Sequence, residues 1–144
     1  MPKKSTVELN DFRLIDDFKA LSKSERLAKL AEVGDQAAAE AKSTLQKAFQ
    51  KYDDVIFFTH VPPFKEACWH EGKISDDDFL PYFASQAMGT ALCETMLKNP
   101  DKTLTVLCGH THTQAEAKIL PNLQVKTGGA EYGSPKLQII IEVC

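Results

Sequence analysis

Two short apolar runs, Val55-Ile56-Phe57-Phe58 and Leu104-Thr105-Val106-Leu107, each stop just before a histidine-bearing turn, and a helical pattern from Phe79 to Lys98 lies between them. Apolarity that is continuous rather than alternating marks a strand covered on both faces, as in a parallel sheet. Strand, crossover helix and strand make a βαβ unit, whose strands are parallel and joined right-handedly. Parallel neighbours bring their carboxyl ends to one edge, and α/β sheets bind ligands at that edge. His60, past the first run, and His110, past the second, are therefore expected at the same place.

The turn after the second run reads Cys108-Gly109-His110-Thr111-His112, which adds a third imidazole. Gly109 is expected to let the backbone turn without a Cβ penalty. Opposite it, Val61-Pro62-Pro63-Phe64 stiffens the loop that carries His60, since each proline fixes its own φ and biases the preceding residue toward extended geometry. Imidazole suits zinc, iron, manganese, nickel or copper, and the alternation within His110-Thr111-His112 lets two rings address different ions or different sides of one. His60, His110 and His112 are the candidate metal ligands. All three on one ion, with a fourth position left for water, would be a self-sufficient hydrolytic zinc site. A structural histidine cluster is the competing reading of the same spacing.

The segment Lys65 to Ser75 holds Trp69 and His70 and is expected to be a loop over the strand end. Trp69, His70 and Gly109 are the candidates for substrate contact, with an ordinary surface loop anchored by one tryptophan as the alternative; His70 is not counted as a metal ligand. Ser75 to Asp78 is read as a helix start, its carboxylates favoured by the helix dipole, leading into one helix that ends at Asn99-Pro100.

Towards the N-terminus, residues 1 to 11 show no period and are expected to form an extended arm. A short helix fits Phe12 to Leu21. Ser22 followed by Glu25 matches a capping box, and Leu27, Leu30, Ala31, Ala38, Ala41, Leu45, Ala48, Phe49 and Tyr52 then recur at helical spacing, with Gly34-Asp35 a candidate kink. After the histidine turn the pattern alternates: Ala115, Ala117 and Ile119, then Leu123 and Val125 beyond Pro121-Asn122, then Leu137, Ile139, Ile141 and Val143. Alternation predicts antiparallel strands with one wet face. The glycine-rich Thr127 to Gly133 between them lacks the spacing of a phosphate-cradling loop and reads as a turn or bulge. Residues 1–52 thus form an arm and helices and residues 53–144 an α/β region, within one domain overall.

A chain of 144 residues, 43% of them hydrophobic, can bury a core. The formal net charge of −3 comes with no basic block, which argues against a dedicated nucleic-acid surface. No apolar run reaches the roughly 20 residues of a membrane span, and a cytoplasmic location is expected. Cys68, Cys93, Cys108 and Cys144 form no C-x-x-C pair and are expected as reduced, buried thiols.

At Val55 through Phe64, with its His-Val-Pro-Pro, and at Leu107-Cys108-Gly109-His110-Thr111-His112, the chain resembles the last two signature blocks of the calcineurin-like metallophosphoesterases. Both blocks come in the family's order with a helix between them, and a Thr-Gly-Gly segment follows. The resemblance implies half of a four-layer αββα sandwich, its mixed sheet made of the βαβ unit followed by antiparallel strands. It also implies hydrolysis of phosphomonoesters or phosphodiesters by metal-activated water at two divalent ions (manganese, iron, zinc or similar). His60 and His110 would hold one ion and His112 the other.

The family's earlier blocks, an Asp-x-His, a Gly-Asp with the bridging aspartate and a Gly-Asn-His-Asp, have no counterpart before Tyr52; Asp11, Asp16 and Asp17 lie in no such context. No catalytic residue is therefore identified in this chain, and on its own it is expected to be inactive. At most one ion, weakly held, is expected, because two adjacent dications without a bridging carboxylate repel. The expected partners are a small phosphate ester and either the missing N-terminal half or a second copy covering the apolar surface left open. A non-catalytic metal-binding or scaffold module with the family fold is the alternative.

Overall fold

The computed structural model describes residues 7–70, 72–76 and 78–142. The first six residues of the expected arm lie outside these, as do Val143 and Cys144. The protein is mixed α/β, with a four-stranded mixed sheet and a separate two-stranded antiparallel sheet.

The N-terminal region opens with a single turn of helix, α1 (Asp11–Leu14), and a 3-10 turn at Asp16–Phe18, not the continuous helix expected from Phe12 to Leu21. Ala20 adopts φ 62, a left-handed step no helix contains, and it redirects the chain into α2 (Lys23–Phe49). The expected capping box is present: Ser22 and Glu25 satisfy each other's backbone N–H groups reciprocally. The helix then runs unbroken past Gly34-Asp35, because Ala38, Ala41, Leu45 and Phe49 bury a stripe that holds it in register. Tyr52, expected on that stripe, lies beyond the helix and is exposed.

Strand β1 (Asp54–Phe58) pairs in parallel with β4 (Thr103–Cys108), Asp54 opposite Thr103 and Phe58 opposite Leu107. This is the expected βαβ unit, with two differences in its crossover. The loop after the prolines contains a 3-10 turn (Lys65–Ala67) and the hairpin β2 (Trp69–His70) with β3 (Lys73–Ile74). The expected single helix is two, α3 (Leu80–Phe83) and α4 (Gln86–Leu97), separated by an extended Ala84. Ser85 is what divides them: its hydroxyl caps α4 by accepting from Met88 N–H, while its own N–H reaches back to the Pro62 carbonyl at 3.0 Å. Asp76, not Ser75, serves the entry to α3, its carboxylate accepting from Phe79 N–H at 3.2 Å.

The alternating segments β5 (Ala115–Leu120) and β6 (Leu123–Thr127) form the expected antiparallel hairpin. Beyond that expectation, β6 inserts beside β4 in parallel, giving the order β1-β4-β6-β5. Leu104 faces Leu123 and Val106 faces Val125 in this pairing, and all four are buried under Leu45 and Phe49 of α2 and Leu92 and Met96 of α4. Period two sends their neighbours to the other face. There Gln124 donates to Thr105 at 2.8 Å, Lys126 pairs with Glu116 at 3.0 Å, and Phe58 stays 72% exposed. The two apolar runs, in β1 at the sheet's edge and in β4, are therefore covered on one face only, which corrects the expectation of strands covered on both. A third alternating strand is also absent from the described residues: 137–142 pair with no strand, and Leu137 and Ile140 are 80% and 76% exposed. No helix among the described residues is long and apolar enough to cross a membrane.

Candidate metal centre

The parallel register delivers His60 and His110 to one sheet edge. Two backbone bonds carry the pairing past the strands: Thr59 N–H donates to the Leu107 carbonyl at 3.0 Å, and Gly109 N–H donates to the His60 carbonyl at 3.1 Å. The loop behind His60 is held by Pro62 and Pro63, both fully buried, against which α4 packs so closely that a Cβ on Gly89 would lie 2.3 Å from the Pro63 carbonyl.

At the turn itself the left-handed positions are taken by the histidines, not by glycine. Gly109 has an ordinary φ, whereas His110 has φ 71 and His112 φ 59. Thr111 N–H closes a three-residue turn onto the Gly109 carbonyl at 2.9 Å, so His110 is the central residue of the strained form of that turn. Such a conformation costs of order 1–3 kcal/mol and persists only where its surroundings hold it. Gly128 N–H donates to the Cys108 carbonyl at 2.8 Å and Ala130 N–H to the His112 carbonyl at 3.0 Å, so the glycine-rich segment straps the turn from behind.

The two rings meet. His110 Nδ1 lies 3.2 Å from His60 Nε2, and His110 Nε2 lies 3.2 Å from the Tyr82 carbonyl oxygen. A carbonyl only accepts, so Nε2 of His110 carries the proton, Nδ1 of the neutral ring keeps its lone pair, and His60 Nε2 is the donor across the pair. Burial pushes the His110 pKa down, the Tyr82 carbonyl opposes this by holding the ring's N–H, and charge on His60 and His112 lowers it again; the nearby carboxylate of Asp11 acts in the opposite sense.

His112 goes elsewhere. Its ring packs edge-on to Tyr132, centroids 4.8 Å apart. Thr111, between the two histidines, is buried, and its hydroxyl has no hydrogen-bond partner among the described residues. Among the described residues no group of three or more His, Cys, Asp or Glu side chains is placed to hold a metal ion. The donor set present nevertheless fits two ligands of one ion. Two nitrogens each 2.0–2.1 Å from a tetrahedral centre would be about 3.4 Å apart, close to the separation seen, and a ligating histidine commonly gives its other N–H to a backbone carbonyl.

Trp69 and His70 sit on the short hairpin beside this edge. Trp69 Nε1 donates to the Glu66 carbonyl at 3.1 Å, which anchors the hairpin to its own 3-10 turn. His70 stands 6.5 Å from the Phe83 ring, and Phe83 stands 5.2 Å edge-on to His110, so His70 is one aromatic ring removed from the pair. Tyr82 and Phe83 were not legible as site residues: the Tyr82 carbonyl meets His110 from 28 positions away, and nothing local marks a backbone carbonyl as an acceptor or Phe83 as a ring against the pair. Beneath the turn, burial pushes the Cys68 thiol up to about 12 and raises Cys108 as well, so both are structural, un-ionised thiols. Comparison with protein-family models, with curated proteins and with solved structures finds no match for this chain.

Proposed function

We propose that this chain is the histidine-bearing portion of a dinuclear phosphoesterase of the calcineurin-like metallophosphoesterase type, acting on phosphomonoesters or phosphodiesters. The observation that carries the reading is the meeting of His60 Nε2 and His110 Nδ1, 3.2 Å apart at the carboxyl edge of two adjacent parallel strands. His60 and His110 would hold one divalent ion and His112, on the far side of Thr111, would serve a second. Bound there, such ions polarise a phosphoryl oxygen and make water nucleophilic near neutral pH. The chain's own part is to hold His110 with its proton on Nε2 and its Nδ1 lone pair open, and to shape the edge with Trp69 and His70; His60 would have to give up its Nε2 proton to an ion bound there.

The remaining ligands come from outside these residues in this reading. Two dications about 4 Å apart repel by roughly 16 kcal/mol at an effective dielectric of 20, and among the described residues no carboxylate is placed to bridge them. The uncovered sheet face with Phe58 supports the same view: a parallel pair ordinarily has both faces covered, and the second layer of a four-layer sandwich would supply that cover. The competing reading, a metal-binding scaffold without catalysis, draws on the separation of His112 from the other two rings.

Titration of the 144-residue chain with Co²⁺, followed by visible absorbance, tests the reading. Weak uptake of one ion, lost in both His60→Ala and His110→Ala, is expected. Uptake that both variants retain, or none in the wild type, overturns the metal centre. Hydrolysis of a generic phosphodiester by the chain alone, abolished in His110→Ala, would overturn the statement that further ligands are needed.

A further inference from the structure

The strained turn explains where His110 is, but not why its ring is fixed. Among the described residues the ring's one carbonyl partner is Tyr82, and Tyr82 belongs to α3, a single helical turn between an aspartate turn and the extended Ala84. So short a helix has no stability of its own. What holds it is the N-terminal segment, where the sequence predicts an extended arm over residues 1 to 11 and a short helix from Phe12.

Phe12 of α1 is 5% exposed, although α1 is only four residues long. Its ring meets Tyr82 edge-on at 5.7 Å and Phe18 at 5.7 Å, and the Arg26 guanidinium lies over it at 5.0 Å. Arg26 is itself tied by Nε to the Leu21 carbonyl at 3.0 Å and by Nη1 to Glu8 at 2.6 Å. Tyr82 Oη reaches the Val7 carbonyl at 3.5 Å, a second and weaker point on the same segment. A continuous series of contacts therefore runs from the first turn of α2 through Arg26, Phe12 and Tyr82 to Nε2 of His110, and across that ring to His60. Phe83 closes the other side, 5.2 Å from His110 and stacked on Phe79 at 5.5 Å.

We propose that the N-terminal segment, through Phe12 on Tyr82, is the positioning element of the histidine pair: it sets the Tyr82 carbonyl that keeps the proton on Nε2 of His110 and leaves Nδ1 free to face His60. Phe12 and Tyr82 are positioning residues; neither side chain touches the pair. The tautomer claim stands on these contacts alone, and its consequence for metal affinity rests on the function proposed above.

The test uses the full chain without metal. Nitrogen-15 spectra of the imidazoles report which ring nitrogen of His110 is protonated, and an amide spectrum reports whether the sheet is intact. The wild type is expected as the Nε2–H tautomer. Phe12→Ala, and Tyr82→Ala, which keeps the backbone carbonyl but removes the ring that seats it, are expected to keep the sheet and to give mixed tautomers at His110. Phe12→Leu, which refills most of the volume, is expected to restore the wild-type signal. In the Co²⁺ titration the two alanine variants should bind about 10- to 100-fold more weakly, the usual cost of losing an outer support of a ligand. Variants with intact sheets and an unchanged tautomer overturn the proposal. Loss of the sheet in both variants overturns it too, since the segment would then be a general folding element. A shifted tautomer with no Co²⁺ uptake even in the wild type leaves the positioning standing and removes the metal reading.

Discussion

At His110 two costs coincide, a left-handed backbone and a ring drawn out of water, and both are met by neighbours distant in sequence. The electrostatic part has a testable sign. With the folded pKa held below its ordinary 6.5, the native state prefers the neutral ring while the unfolded chain takes up a proton at higher pH. His110 therefore contributes no penalty above about pH 7.5, and stability falls as pH drops through and below about 6.5. Urea midpoints of metal-free protein at about pH 7.5 and 5.5 should show that fall, and His110→Gln should reduce it. The pairing of His60 with His110 was legible in the sequence, because two apolar runs ending in histidines force the geometry once they lie parallel. The parting of His112 was not: alternation within His110-Thr111-His112 says that two rings diverge, whereas the contact with Tyr132 depends on how the glycine-rich segment folds back. Gly109 was assigned the wrong task for a related reason, since a glycine in a turn motif advertises freedom that the neighbouring residues can take instead.

Among the elements, the junction of α4 with the proline loop leaves no room for a side chain. Gly89 is the only residue type that lets the helix pass over the Pro63 carbonyl, with the Phe64 ring 3.1 Å from where a Cβ would sit. Gly89→Ala gains helix propensity of about 1 kcal/mol, yet overpacking of this kind costs about 1–3 kcal/mol, and rigid backbone cannot yield as a side-chain tip would. Net destabilisation in urea unfolding is expected, together with altered His60 ring signals, because the loop that must move carries that histidine. Helix α2 was readable from its cap and period, and β1, β4, β5 and β6 from their apolar runs; the β2–β3 hairpin and the division of the crossover into α3 and α4 were not. Phe79 through Leu92 keeps a helical apolar rhythm across the break, and what overrides it is one hydroxyl cap at Ser85 and one long-range bond to Pro62.

For the whole molecule, the decisive asymmetry is between the two faces of the main sheet. One lies under α2 and α4; the other presents Phe58 beside Thr105 and Gln124, and the C-terminal segment adds Leu137, Ile139 and Ile140 in the open. Exposed apolar groups next to an unpaired strand edge favour association. Light scattering across a concentration series is expected to show association that Phe58→Asp weakens; a compact monomer throughout would count against it. The parallel pairing of β1 with β4 also says something about time. His60 and His110 are 50 residues apart, so their meeting closes a long loop that includes the whole crossover. Contacts of that separation form late, after the local helices and the β5–β6 hairpin have already organised their own residues. An ion that needs both rings would thus find nothing to grip in the collapsing chain: it would slow the escape from the finished fold and leave the rate of reaching it unchanged.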